Sequence, residues 1–231
     1  MIQAIWIDID DTLLDFDAYV KQAMQSGFTH FGLKPYEPQM FEVFDTINNG
    51  LWQQIEQGKL DFEGLQKVRF NTIFKALGIE FDGVRFERYF RECLWDSAIL
   101  IQGVEPMLRY LSQKYLLYTA SNGPYKQQLH RLEAGGIRHY FEDCFISEKI
   151  GVSKPDKAFY DRALQQLNQG REEAIAAAQC LMLGDSLRSD IAGGKAAGMQ
   201  TLWFNKKGVA NTTATVPDFE VRHLEEVKMY L

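Results

Sequence analysis

The first nine residues of the chain constrain the fold more than any other segment. Residues 2–9 are apolar at every position except Gln3 and Asp8, and four of them are isoleucines. A short, β-branched apolar run is typical of a strand that is buried on both faces, as in a parallel sheet. Acidic residues follow at once, so such a strand would bring carboxylates to the edge of the sheet.

Four further apolar segments resemble the first, and helical patterns separate the later ones. Helix-like stretches occur near 124–134, 156–168 and 188–197. Alternating strands and helices predict an α/β fold with a doubly wound parallel sheet. The four additional strand candidates are 115–120, 144–146, 180–183 and 201–204.

Residues 15–96 contain no such strand candidate, and their pattern predicts amphipathic helices instead. A helical block inserted after the first strand is expected to form a cap domain, so that residues 1–14 and 97–231 form the core. Within the core, residues 206–217 are predicted to be a loop and residues 223–231 a short helix. The predicted cap helices lie near 15–31, 38–57, 61–77 and 84–96.

Charge and composition exclude several kinds of partner. The chain has 25 Lys and Arg against 31 Asp and Glu, a net charge of −6, and no basic run. This argues against binding to nucleic-acid polymers or to anionic membrane surfaces. Its three cysteines lack the spacing of a zinc site or a disulfide framework. No apolar run approaches the ~20 residues that span a bilayer, and the N-terminus has no basic signal region, so we expect a cytoplasmic protein.

The acidic cluster after the first strand predicts a metal site. Asp8, Asp10 and Asp11 lie within four positions at the carboxyl end of a buried strand. Carboxylates this close repel one another, and a divalent cation such as Mg²⁺ is the simplest compensation. The alternative is a solvated acidic turn that caps the next helix, which for Asp11 alone is the favoured interpretation.

A second acidic pair follows the strand candidate at 180–183. Asp185 comes directly after Gly184, and Asp190 lies near the start of the next helix. Taken alone, this pattern is also compatible with ordinary turn chemistry. Together with the first cluster it predicts a metal site at the carboxyl ends of the strands, where ligands bind in open α/β sheets.

Two further segments, each just before a predicted helix, are expected to bind phosphate. Ser121 and Asn122 follow the strand candidate at 115–120 and precede a helix, where a hydroxyl and backbone amides can receive an anion. Lys154 precedes another helix and supplies a positive charge for a phosphate oxygen. An ordinary helix cap and a solvated lysine are the plainer alternatives.

The ordered combination of these motifs resembles the haloacid dehalogenase (HAD) superfamily of hydrolases. The helical insert resembles the C1-type cap of that family, and the core its Rossmann-like domain. The resemblance implies a phosphatase with Asp8 as the nucleophile, Asp10 as the general acid–base, and Ser121 and Lys154 on the phosphoryl group. The motifs in chain order are Asp8-x-Asp10-x-Thr12, Ser121, Lys154 and Asp185-x-x-x-x-Asp190.

The resemblance also implies a magnesium ion as the cofactor. Asp8, Asp185 and the backbone carbonyl of Asp10 are its expected ligands. Asp190 is expected to bind the metal or to support its ligands from behind.

Parts of the cap are similar to bacterial pyrimidine 5′-nucleotidases of the same superfamily. The similar stretches are residues 47–52, 56–59 and 69–70 of the cap, with 121–123 and 148–155 of the core, although that group usually has threonine where Ser121 stands. Trp52 is expected to stack on a base, with Asn49, Arg69 and Asn122 on the polar groups of the substrate. The alternatives are that Trp52 belongs to the cap core and that Arg69 pairs with an acid on a helix.

The expected partner is a small phosphomonoester, and the sequence leaves both a monomer and a homodimer open. Another phosphometabolite phosphatase and a phosphosugar mutase share the residues described. A 2-haloacid dehalogenase does not need Asp10 or a metal, which argues against it. A non-catalytic binding domain would not need both Asp8 and Asp10.

Overall fold

The computed structural model describes all residues from 1 to 231, and the chain divides into two compact units. Met1–Asp15 and Ala98–Leu231 form the first, and Phe16–Ser97 form the second. None of the helices is both long enough and apolar enough to cross a bilayer.

The first unit is built on one six-stranded sheet. The strands are β1 (Ala4–Ile7), β2 (Leu116–Ser121), β3 (Asp143–Ile146), β4 (Cys180–Gly184), β5 (Gln200–Phe204) and β6 (Phe219–Val221). All neighbours pair in parallel, in the order β3-β2-β1-β4-β5-β6. This is the Rossmann strand order, and it confirms the predicted doubly wound α/β fold.

Nine α-helices accompany the sheet, four in the second unit and five in the first. Those of the second unit are α1 (Phe16–His30), α2 (Met40–Glu56), α3 (Phe62–Leu77) and α4 (Gly83–Trp95). Those of the first unit are α5 (Val104–Leu111), α6 (Tyr125–Ala134), α7 (Ser147–Ile150), α8 (Lys157–Leu167) and α9 (Ala192–Ala196).

Both faces of the sheet are covered, which explains why β1 is apolar throughout. Ile7 packs in one buried cluster with Leu108 of α5 and Leu132 of α6. Trp6 points to the opposite face and stacks on Tyr160 of α8, with ring centroids 6.1 Å apart. With both faces filled, β1 itself has no polar residue, and the carboxylates begin directly after it at Asp8.

Several elements of the first unit differ from the sequence-based prediction. Helix α5 and strand β6 were not predicted. Pro106 lies in the first turn of α5, where backbone N–H groups have no helical partner, so it does not interrupt the helix. The helix expected near 188–197 begins as a π-helix, Leu187–Ile191, before α9, and the tail forms a 3₁₀-helix, Leu224–Met229.

The second unit is held together by aromatic packing and by close helix contacts. Phe70 and Phe86 lie near its centre with ring centroids 4.6 Å apart. A Cβ atom on Gly27 would lie 2.6 Å from Phe86, and one on Gly83 would lie 2.2 Å from the backbone nitrogen of Asn71. These two positions require glycine because helices α1 and α3 approach α4 so closely.

Candidate active site

Three neighbouring strands end in polar residues at the same edge of the sheet. Asp8 follows β1 and donates its backbone N–H to the carbonyl of Leu183 in β4 (2.9 Å). Ser121 is the last residue of β2, and Asp185 follows β4. Because β1 lies between β2 and β4 and all three are parallel, these residues meet where folds of this strand order bind ligands.

Lys154 lies at the centre of this group, and its side chain is only 2% exposed. Its ammonium donates to Asp8 Oδ1 (2.7 Å), to Asp190 Oδ1 (2.6 Å) and to the carbonyl of Ala120 (2.6 Å). The side chain of Asn122 fixes the lysine backbone, accepting from Lys154 N (2.8 Å) and donating to Lys154 O (2.9 Å). The structure therefore uses both amide atoms of Asn122 to position Lys154.

Three buried or half-buried carboxylates share the space around this ammonium. Asp8, Asp185 and Asp190 each offer an oxygen, and these atoms lie within 4.8 Å of one another. Burial, together with the carboxylate of Asp190, raises the pKa of Asp8 to about 8, despite the nearby Lys154. Burial and the carboxylates of Asp11 and Asp8 raise the pKa of Asp185 well above its usual range. Burial opposes the charge of Lys154, but Asp190 and Asp8 outweigh it and raise its pKa.

Asp190 reaches Lys154 because the chain lacks a side chain at position 184. A Cβ atom on Gly184 would lie 2.2 Å from Asp190 Oδ2. That same oxygen accepts from the backbone N–H of Ser186 (3.0 Å), while Oδ1 accepts from Lys154. Both oxygens of Asp190 therefore have donors within the protein, which suits a residue that orients Lys154.

Asp185 is fixed through its backbone by two buried side chains. The hydroxyl of Thr12 accepts from its N–H (3.1 Å), and the indole of Trp203 donates to its carbonyl (2.7 Å). Its carboxylate thereby stays available at the edge of the sheet.

Asp11 was expected to cap the next helix, and the structure shows that it does not, because α1 begins only at Phe16. It has a positive φ of 59°, and its carboxylate contacts Lys206 (3.3 Å).

Asp10 has two partners that the sequence did not predict. Arg131 Nη1 donates to Asp10 Oδ1 (2.7 Å), and Gln128 Nε2 donates to Asp10 Oδ2 (2.8 Å). The same amide nitrogen donates to the hydroxyl of Ser121 (2.9 Å). Long polar side chains at positions i and i+3 of a helix usually indicate a solvated surface, so the only available signal was their place on the helix that follows Ser121.

The residues of the second unit that were singled out from the sequence differ in their surroundings. Arg69 is buried, and its guanidinium donates to both carboxylate oxygens of Glu87 (2.9 and 2.6 Å) and to Asn48 (3.1 Å). It pairs with an acid, as the plainer alternative held, but inside the unit and not on a helix surface. Asn49 is exposed, and Trp52 is half-buried with its ring 6.2 Å from that of Phe62. Of these three residues, only Asn49 and Trp52 therefore have exposed surface for a ligand.

The comparisons with known proteins agree with this site. Residues 2–198 match the family of haloacid dehalogenase-like hydrolases. The HAD-hydrolase YfnB of Bacillus subtilis (strain 168) is 34% identical over 97% of this chain and 93% of its own. A crystal structure of YfnB bound to magnesium superimposes with a TM-score of 0.89, covering 100% of this chain and 98% of that one at 33% identity.

Two further relatives are pyrimidine 5′-nucleotidases. PynA of Streptococcus pneumoniae (strain R6) is 33% identical over 95% of this chain and 91% of its own. YjjG of Escherichia coli (strain K12) is 28% identical over 98% and 96%. The chain described here thus belongs to the haloacid dehalogenase-like hydrolases, and it is an enzyme of that family.

Proposed function

We propose that this enzyme is a Mg²⁺-dependent phosphomonoesterase that acts through an aspartyl phosphate on Asp8. The observation that carries the proposal is the contact of Lys154 with Asp8 and Asp190 at 2.7 and 2.6 Å, beside the carboxylate of Asp185. The arrangement supports the proposal because Asp8 could act there as a nucleophile, Lys154 as a positive charge for phosphate oxygens and the carboxylates as metal ligands, all at one sheet edge.

The donor set fits a magnesium ion. Three carboxylates lie within 4.8 Å of one another, and one lysine does not balance their charge. Hard oxygen ligands of this kind suit Mg²⁺. We propose Asp8, Asp185 and the carbonyl of Asp10 as ligands, with Asp190 holding Lys154. When bound, the ion would neutralise charge on the phosphoryl oxygens and on Asp8.

The protein's own residues divide the reaction into two steps. In the first, a carboxylate oxygen of Asp8 attacks phosphorus, the ester P–O bond breaks, and Asp10 gives its proton to the leaving oxygen. Lys154 and the hydroxyl of Ser121 stabilise the negative oxygens during transfer. In the second, Asp10 takes a proton from the attacking water, phosphate is released and Asp8 is regenerated.

Nucleoside 5′-monophosphates, pyrimidine ones above all, are the substrates we propose. The support is that two relatives of nearly the same length are pyrimidine 5′-nucleotidases. Residues 15–96 would serve as the cap domain and residues 1–14 and 97–231 as the core, with Trp52 and Asn49 as the cap residues that contact the nucleoside. Three free cysteines suit the reducing cytoplasm as the setting.

A substrate screen tests this proposal. Purified enzyme with Mg²⁺ is given nucleoside monophosphates, sugar phosphates and p-nitrophenyl phosphate, and phosphate release is measured with a chelated sample as control. We expect hydrolysis of pyrimidine nucleotides at the highest kcat/KM and no turnover after chelation. Isomerisation of a sugar phosphate without phosphate release would instead identify a mutase.

Mg²⁺ is expected to raise the melting temperature, and more so at pH 8 than at pH 6. In the metal-free protein the pKa of Asp8 is raised to about 8, above the ordinary value of about 4. Its contribution to stability is therefore fully present below about pH 4 and is lost as the pH rises through about 8. At pH 6 protons compete with the metal, and at pH 8 they do so less. Asp185→Asn should reduce the metal-dependent shift, whereas an equal shift at both pH values would contradict this account.

Trp52→Ala is expected to impair nucleotide hydrolysis selectively. Stacking of a base on an aromatic ring is worth about 1–3 kcal/mol, roughly a 5- to 150-fold loss of kcat/KM. Activity on p-nitrophenyl phosphate, which has no base, should change little. Arg69→Met is the control for general cap damage, because Arg69 is enclosed with Glu87. Arg69→Met should lower the melting temperature without changing the ratio of kcat/KM for the two substrates. If Trp52→Ala behaves in the same way, Trp52 belongs only to the cap core.

A further inference from the structure

A buried arginine and a buried glutamine on α6 hold both carboxylate oxygens of Asp10. Arg131 and Gln128 are each 1% exposed. Arg131 donates to Oδ1 at 2.7 Å and Gln128 donates to Oδ2 at 2.8 Å. The side chain of Asp10 itself is 32% exposed, so its carboxyl group is held by α6 and is still accessible to a substrate.

The hydrogen bonds of Arg131 determine how the amide group of Gln128 is oriented. Arg131 Nη1 carries two protons, and its second acceptor is Gln128 Oε1 at 3.0 Å. Since an arginine can only donate, the amide oxygen of Gln128 has to face it. The amide nitrogen is thereby turned toward Asp10 and Ser121, at 2.8 and 2.9 Å. The hydroxyl of Ser121 accepts this bond and keeps its own proton for another acceptor.

A contribution to stability alone does not explain why these buried side chains are polar. Burial of a guanidinium is costly, and apolar side chains of similar volume often stabilise a core as well or better. Here the arginine and the glutamine make contact with two residues of the proposed reaction. We propose that Arg131 and Gln128 are positioning residues that fix the direction of the Asp10 carboxyl group and, through the same amide, the hydroxyl of Ser121.

The inference rests on the proposed phosphomonoesterase function, and it has its own consequence. In the first step a bond forms between Asp8 and phosphorus, the ester P–O bond breaks, and the proton of Asp10 moves to the leaving oxygen. A nucleoside leaves as an alkoxide unless it is protonated, whereas nitrophenolate is a stable anion that leaves without a proton. A misdirected Asp10 should therefore harm the alkyl ester far more than the nitrophenyl ester.

The test compares kcat/KM for a nucleoside monophosphate and for p-nitrophenyl phosphate in Gln128→Met, Arg131→Met and Arg131→Lys. This parameter reports the first irreversible step, so hydrolysis of the aspartyl phosphate does not enter it. We expect Gln128→Met and Arg131→Met to lose about 10-fold or more on the nucleotide, as part of the contribution of general acid catalysis. The loss on the nitrophenyl ester should be clearly smaller in both variants, and larger in Gln128→Met than in Arg131→Met because Gln128 also holds the hydroxyl of Ser121. Arg131→Lys should recover part of the loss because it keeps a charged donor.

Gln127→Met is the matched control. Gln127 is a buried neighbour on the same helix, and no hydrogen bond joins it to Asp10 or Ser121. Gln127→Met should leave the ratio of kcat/KM for the two substrates unchanged. A set of aryl phosphates extends the test, since log kcat/KM should fall more steeply with the pKa of the leaving phenol in Gln128→Met than in wild type.

The outcomes separate this inference from the function on which it rests. Equal losses on both esters, or losses that follow the melting temperature in all variants, would overturn the positioning role while the wild-type enzyme remains a phosphatase. If Arg131→Met fails to fold, Gln128→Met decides alone. If wild type hydrolyses a different alkyl phosphate from the screen, that ester replaces the nucleotide. A wild-type protein that hydrolyses no phosphomonoester with Mg²⁺ would overturn both proposals.

Discussion

Asp8→Asn is expected to lower kcat by about 10⁴-fold or more while the fold remains intact. An amide has almost the shape of a carboxyl group but cannot attack phosphorus, and loss of a nucleophile has effects of this size in enzymes with covalent intermediates. The amide oxygen can still accept the hydrogen bond that Lys154 donates to Asp8 at 2.7 Å. Because burial raises the pKa of the Asp8 carboxyl group to about 8, its replacement should not destabilise the metal-free protein at pH 8.

The measurement is steady-state hydrolysis of p-nitrophenyl phosphate together with the melting temperature. Asp161→Asn serves as the control, because Asp161 is an exposed carboxylate of α8 that pairs with Lys157. It should retain wild-type activity. If Asp8→Asn, checked by mass spectrometry for reversion by deamidation, turns over at a rate near wild type, Asp8 is not the nucleophile.

Lys154→Met is expected to have the second largest effect, on both activity and stability. Removal of one donor to the negative oxygens of a transition state lowers kcat by about 10²–10³-fold. Loss of one partner from a buried ion pair destabilises a protein by about 3–5 kcal/mol. Here Asp8 and Asp190 would both lose their shared ammonium, so we expect a fall in the free energy of unfolding of that order at pH 8 without metal.

Mg²⁺ should restore stability to Lys154→Met by a larger increment than to wild type, because the cation then meets carboxylates that have no other counterion. Denaturant unfolding with and without Mg²⁺ measures the free energy of unfolding and its increase when the metal binds. Lys157→Met, three residues along the chain, removes an exposed lysine paired with Asp161 and should change neither. An unfolding free energy of Lys154→Met equal to that of wild type would show that the three carboxylates are not held by Lys154.

The sequence predicted the parts of the fold that apolar patterns determine. Strand β1 has to be apolar on both sides because Ile7 and Trp6 pack into cores on opposite faces of the sheet. Strand β6 was missed because it has three residues at the sheet edge, of which only Val221 is buried. Asp190 of the π-helix before α9 lies against Gly184, a contact that no local pattern shows.

The candidate site was predictable where a residue's place in the chain determines its position. Asp8, Ser121 and Asp185 come at strand ends, and parallel strands bring their carboxyl ends to one edge. The sequence could not show that Arg131 is buried against Asp10, since 121 positions separate them and only the packing of α6 joins them. Arg69 illustrates the same limit, because its partner Glu87 lies on a different helix.

The central claim is that phosphate is transferred to Asp8, and trapping the intermediate tests it most directly. The Asp10→Asn variant should slow release of phosphate from Asp8, and p-nitrophenyl phosphate allows the first step without a general acid. Turnover is quenched, the protein is reduced with borohydride and its peptides are sequenced by mass spectrometry. We predict conversion of Asp8 to homoserine, with none in Asp8→Asn. Phosphate on Ser121 or any other side chain, or turnover that never modifies Asp8, would contradict the account.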